Sequence, residues 1–249
     1  MYLNDVHIIA YVLTGLLGVF TGQFVDWCNR RLPEYKKVFT KEFFIENKMN
    51  FKPNYILILV NVLANLVLLY NMGLKQGIIA NLDLIKFIIL TPMLLSVLVI
   101  DYKHLIIPNR LNLTMFEIGL LFTFIYGISN MNIAVSMLLG MLAGGGIFLL
   151  ITLIGGFIAG KEAMGFGDVK LMGALGLFFG LQNIVTISIV AFLVAAIISI
   201  ILIVFKIRKT DEYIPFGPFI VVGAFIVMLV PFSVIINVLL KIFTLGMYK

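Results

Sequence analysis

Two aspartates stand where an apolar chain should not tolerate charge. Asp101 closes the run Val97-Leu-Val-Ile-Asp101, and Asp168 lies in Gly165-Phe-Gly167-Asp168-Val-Lys170-Leu. Carboxylates at membrane depth are costly, so each is a functional candidate by default. Two carboxyls brought within hydrogen-bond reach cannot both ionise readily, and together they hold one proton. The ionised member can take a proton from water, and the protonated member can give one to a carbonyl oxygen or a leaving amine. Such a pair hydrolyses an amide bond with no metal and no thiol. Taken singly, each has a plainer reading. Asp168 would cap a helix beginning near Val169, and Asp101 would mark a helix end at the membrane interface.

The other reactive groups are few. Asp26 and Glu117 are also near membrane depth. Glu117 reads either as a polar helix-interface residue or as one lining a substrate cavity. His7 and His104 are the only histidines and Cys28 the only cysteine, so a disulfide or a cysteine-based zinc site is unavailable within the chain. No ligand cluster has metal-site spacing, and no metal is expected. Gly165 and Gly167 allow irregular backbone beside Asp168, which membrane depth tolerates only when it is buried in protein or faces a watery cavity.

The elements that must position this pair are membrane helices. Of 249 residues, 62% are hydrophobic and 12% charged, with mean hydropathy +1.14. That composition excludes a soluble domain, a disordered chain and a nucleic-acid binder. Runs long enough to cross the hydrocarbon suggest about eight transmembrane helices: 6–26, 55–74, 84–100, 111–129, 133–159, a short 171–181, 184–207 and 216–243, the last broken by Pro231. The expected fold is all-α, a polytopic membrane bundle in one domain, 1–249, with a short basic loop at 27–54. The glycines Gly140 and Gly144-Gly-Gly146 suit close helix packing. No basic residue precedes the first run, so it does not read as a cleavable signal.

Basic residues orient the bundle. Fourteen of the 18 lie in alternate breaks, at 27–54, 101–110, 160–170 and 206–214. The positive-inside rule makes those breaks cytoplasmic and the N-terminus external. Asp101 and Asp168, 67 positions apart, then share one side and one depth.

At these residues the sequence resembles the type IV prepilin peptidases, a family of GxGD membrane aspartic proteases. Gly165-Phe-Gly167-Asp168-Val-Lys170-Leu is similar to their GxGDxKL. Asp101-Tyr-Lys-His-Leu-Ile-Ile-Pro108-Asn109 resembles their Asp-x6-Pro-Asp segment, with Asn109 for the usual Asp. Ile214-Pro215-Phe216-Gly217-Pro218-Phe219 is similar to IPFGPF. The segment from Gly22 to Pro33 resembles GSFLNVxxxRLP, with Gln23 and Asp26 for Ser and Asn. The cytoplasmic loop departs from many bacterial members in lacking two CxxC pairs.

The resemblance implies a membrane endopeptidase in a bacterial cytoplasmic membrane. It would cut the short basic leader from prepilin or pseudopilin substrates at the cytoplasmic face, with Asp101 and Asp168 as catalytic pair. Gly165, Gly167, Lys170, Pro108 and Asn109 would support that pair. Glu117, Pro215, Phe216, Gly217 and Pro218 are candidates for substrate or cavity contacts. Proteolysis needs no cofactor. Should the chain also N-methylate the new N-terminus, as many members do, the donor is S-adenosylmethionine. The loop acids Glu34, Glu42, Glu46, Asp211 and Glu212 could attract a basic leader, while the net-basic loops suit anionic lipid. A presenilin-like protease cutting within membrane helices shares the pair. A transporter using membrane carboxylates is a further alternative.

Overall fold

Apolar segments bounded by polar caps and glycine stops fold here into helices. The computed structural model describes residues 2–34, 36, 38, 54–160, 164–205 and 214–244. Most of the basic loop at 27–54, including Lys37, Lys41, Glu42, Glu46, Lys48 and Lys52, lies outside them. So do Lys161 and the stretch 206–213 with Lys206, Arg208, Lys209, Asp211 and Glu212.

A two-residue antiparallel pairing, β1 (Tyr2–Leu3) with β2 (Val6–His7), precedes the first helix. The helices are α1 (Ile8–Arg31), α2 (Tyr55–Met72), α3 (Leu82–His104), α4 (Asn109–Ser129), α5 (Met131–Ala159), α6 (Phe166–Val204), α7 (Gly217–Leu229) and α8 (Phe232–Phe243). Six are long and apolar enough to cross a membrane, counting α3 with the short 3-10 turn before it; α7 and α8 are shorter. The chain is a polytopic helical bundle.

Asn54 caps α2 by accepting the Leu57 N–H at 3.2 Å. Gly73 ends that helix at φ 65°. Helix α3 is the centre: half of its apolar window is buried, against 17% for α1. Pro92 interrupts α3, where it removes one backbone hydrogen bond and crowds the preceding turn.

Helix α6 is two arms. At Gly180 (φ 74°, ψ 175°) the backbone leaves the helical region, in a conformation that suits only glycine. Going along α5, the first arm is met in descending order: Ser136 lies against Gly180, Gly140 against Gly176, and Gly144 against Met172. The second arm is met in ascending order: Ser136 Oγ accepts the Leu181 N–H at 3.2 Å, Gly144 meets Ile184, and Phe148 meets Phe192. The chain therefore turns back at Gly180, and the two arms are the expected sixth and seventh runs. The turn comes just before the polar Gln182-Asn183 break. The first arm, 166–179, is only ~21 Å long at 1.5 Å per residue, less than the ~30 Å hydrocarbon thickness. The expected eighth run also divides, because Pro231 separates α7 from α8. The close packing expected of the α5 glycines holds for Gly140 and Gly144, whose added Cβ atoms would strike α6 backbone. Gly146 has open space around it.

Candidate active site

The last turn of α3, the first turn of α6 and the first turn of α7 meet at one end of the bundle. Asp101 and Asp168 are each about 95% buried there. Both carboxyls thus lie at the same end of the bundle.

Asp101 is held by a residue 116 positions away. The Gly217 N–H donates to Asp101 Oδ2 at 2.9 Å. A Cβ on Gly217 would stand 2.6 Å from that oxygen, so only glycine lets α7 begin here. Pro218 sits in the first turn of α7, where a missing N–H costs nothing. The Phe216 ring is wedged among Phe192, Phe148 and Phe219, at centroid distances of 5.0, 5.8 and 5.9 Å. Pro215 is buried beside it. These candidate substrate or cavity contacts thus seat the strand of chain that grips Asp101.

Asp168 stands in the first turn of α6, whose N-cap is Gly165 and not Asp168. Its backbone N–H donates to Gly165 O at 3.0 Å, while its Oδ1 is buried with no hydrogen-bond partner. Asp168 thus serves the helix start from the third position, its carboxyl accepting from the Gly165 N–H, and its Oδ1 remains unpaired in the interior. Such an orphan calls for an explanation beyond the fold.

The connection between α3 and α4 buttresses this turn. Leu105 closes α3 in the left-handed region at φ 56°, and its N–H donates to Asp101 O at 2.9 Å. Pro108 precedes α4. Gly167 packs its open side against Ile107, and its carbonyl accepts from Asn112 Nδ2 at 3.1 Å. Lys170 Nζ donates to Asn109 Oδ1 at 2.8 Å and lies over the Phe166 ring. Asn112 was not singled out from sequence; a lone amide on the buried face of α4 is its only signal.

Glu117 is on the exposed face of α4, opposite the Asn112, Met115 and Gly119 face that meets α6. Cys28 and His104 also part company. Cys28 lines an apolar crevice of about 590 Å³ between α1, α3 and α4, with Pro92 and Arg110 among its lining residues. His104 lines a separate polar crevice at the ends of α1 and α3 and the start of α2. Glu117 lines neither. In the polar crevice Asp26 pairs with Arg30 at 2.6 Å, and the hydrogen bond and charge of Lys36 hold the Glu34 carboxyl below its ordinary range. Among the described residues no three His, Cys, Asp or Glu side chains gather as a metal site would require.

This arrangement can be compared with known proteins. The type IV leader peptidase family matches residues 88–245, more than half of the chain and all of the carboxyl site. The chain belongs to the type IV leader peptidase family. It is similar to the "Prepilin leader peptidase/N-methyltransferase" of Aeromonas hydrophila, 33% identical over 144 residues, which are 57% of this chain and 48% of that protein. The protein of that name from Escherichia coli K12 is 31% identical over 132 residues, 53% of this chain and 57% of that one. The one from Pseudomonas aeruginosa is 30% identical over 143 residues, 57% and 48%. The chain spans about half the length of the curated relatives it matches. No solved structure matches it. Within this leader peptidase family member, α1 and α2 lie outside the family match.

Proposed function

We propose that this chain is a membrane aspartic endopeptidase. It removes the short basic leader from prepilin or pseudopilin substrates at the cytoplasmic face of a bacterial inner membrane. The observation that carries this reading is the pair of buried aspartates at one end of the bundle, with the Asp168 Oδ1 left unpaired. Family membership and the names of the relatives support it.

In this reading Asp101 and Asp168 share one proton. The ionised carboxylate takes a proton from water, whose oxygen attacks the carbonyl carbon on the leader side of the scissile bond. The protonated carboxyl gives its proton to the departing amine. The C–N bond breaks, leaving a leader carboxylate and a new apolar N-terminus. Lys170, Asn109 and Pro108 keep the turn before α4 against the Asp168 turn, and Gly217 holds Asp101 in register. The N-terminus is external, so the basic breaks and a basic leader share the cytoplasmic side. The same reading extends to N-methylation of the new N-terminus with S-adenosylmethionine as donor, as the relatives' printed name suggests.

The test is leader cleavage by purified Asp101→Asn and Asp168→Asn proteins in lipid. Both are expected to lose cleavage while keeping the helical circular-dichroism spectrum. Cleavage at the wild-type rate by either would end the reading.

A further inference from the structure

The apolar crevice between α1, α3 and α4 takes no part in the proposed hydrolysis. Its volume of about 590 Å³ is that of a small-ligand pocket. Its walls run from Thr21 to Leu32 on α1, from Ile89 to Ser96 on α3 and from Arg110 to Ile118 on α4. At 1.5 Å per residue these walls are about 10–16 Å long, up to half of the ~30 Å hydrocarbon thickness. Ile89 and Thr114 are both exposed, so the slot opens sideways, toward where acyl chains would lie.

Only one charged residue lines this slot. Arg110 stands at its mouth, in the first turn of α4, at the end of the bundle that carries the carboxyls. The guanidinium is exposed, and its Nη1 donates to the Lys36 carbonyl at 3.2 Å. That bond uses one of its five N–H groups and none of its charge. The Lys36 ammonium is paired with Glu34, whereas among the described residues Arg110 pairs with no carboxylate. Glu117, the one acid on α4, lies seven positions further along, ~10 Å deeper, and lines no part of the slot.

We propose that this slot binds an anionic phospholipid, one acyl chain lying between α1, α3 and α4 and the phosphate resting on Arg110. An apolar groove one leaflet long with a single cation at its mouth is the complement of such a molecule. A guanidinium meets phosphate oxygens through paired N–H donors, and basic pockets between membrane helices take anionic headgroups. A zwitterionic lipid carries its own cation and gains less from Arg110. Trp27 stands at the same level near the end of α1, with the Arg31 guanidinium 4.2 Å from its ring centre, and tryptophan favours the headgroup boundary. Which leaflet supplies the lipid rests on the orientation proposed above; the slot itself does not.

Trp27 also supplies the test. It is the only tryptophan of the chain, and its indole N–H donates to the carbonyl of Val38, a slot residue, at 3.0 Å. Its emission therefore reports a brominated acyl chain in the slot. The whole chain is placed in nanodiscs of phosphatidylcholine, and brominated phosphatidylglycerol or brominated phosphatidylcholine is titrated in at equal shares. The wild type is expected to prefer the anionic lipid about fivefold, the order of effect of one basic residue near a membrane surface. Arg110→Gln is expected to remove that preference and Arg110→Lys to keep most of it. Thr114→Phe fills the slot from an exposed position, and quenching by the anionic lipid is expected to fall to the level of the neutral one. Equal quenching by the two lipids in the wild type overturns the proposal. So does a preference that survives Arg110→Gln, or one that survives Thr114→Phe, which would mark a contact with the headgroup alone. If a prepilin substrate alters Trp27 emission and the anionic lipid does not, the slot belongs to the substrate and the proposal falls. Both leaflets of the disc hold the same lipids and no cleavage is read, so the outcome is independent of the hydrolytic reading.

Discussion

The stretch 88–245 and the stretch before it bury polar groups in different ways. In the first, buried groups are tied to backbone far away in sequence. Asp101 is held by Gly217 and the Gly167 carbonyl by Asn112. In the second, Asn61 Nδ2 donates to Gly18 O at 2.7 Å, but Asn61 Oδ1 and both amide atoms of Asn65 and Asn29 have no partner. The stretch 88–245 also leaves Asp168 Oδ1 and Asn112 Oδ1 without a partner, so the difference lies in the bracing. There each of these side chains, like that of Asp101, keeps one long-range or turn contact, whereas in the earlier stretch the amides of Asn29 and Asn65 have none. The two regions meet at α3.

That contrast can be broken most sharply at the carboxyls. Replacing either Asp101 or Asp168 by Asn is expected to lower leader cleavage by about 10³-fold or more, near the upper range for loss of a positioned acid or base. Rates measured on a fixed prepilin substrate check this. In the wild type, cleavage against pH should trace a bell, falling on both sides as the pair gains its second proton or loses its first. A flat profile would mean that the pair does not share a proton. Gly217→Ala should come next. Its Cβ must displace Asp101 Oδ2, and a misplacement of this size costs about 10²-fold in kcat, with KM little changed and the fold retained.

Gly22→Leu addresses the other region. Its side chain would strike the Ile58 backbone, 2.9 Å from an added Cβ. Overpacking of this kind costs about 1–3 kcal/mol, read in denaturation experiments. Per folded molecule, cleavage should change less than about threefold on the ordinary additivity of distant sites. A loss as large as that of Gly217→Ala would show that α1 and α2 serve hydrolysis as directly as 88–245 does. The smallest effect belongs to Asn109→Asp. It turns the bond to Lys170 into an exposed ion pair, with a stability change of less than about 1 kcal/mol.

The sequence disclosed the carboxyl end of the bundle better than it disclosed what braces it. Asp101 and Asp168 were legible because each is a charge set against a long apolar run, and apolar runs carry their own boundaries. The sixth and seventh runs were separable because Gln182-Asn183 is polar, though the reversal itself needs the positive φ of Gly180. Contacts that join distant positions had no local signature. Nothing near Gly217 in the chain says that its N–H meets Asp101, so IPFGPF read as a substrate contact. Lys86 is a similar case. It lies inside the third run and pairs with Asp83 at 2.8 Å, and Asp83 also accepts from the Tyr126 hydroxyl at 2.7 Å. The i, i+3 spacing of Asp83 and Lys86 hinted at the pair; the Tyr126 partner on α4 was beyond its reach. Asn29 carries no such signature, because one amide among basic residues at a helix end reads as solvated, whereas the fold buries it.

The bond from Gly217 has one more consequence, for the address of a single proton. A backbone N–H can only donate, so Asp101 Oδ2 is occupied as an acceptor. Because that bond is strongest to the oxygen that carries no proton, a hydrogen on Asp101 is favoured on Oδ1. The two oxygens of one carboxyl, alike in isolation, are thereby made distinct by an amide 116 positions along the chain, and Oδ1 becomes the preferred point from which a proton leaves.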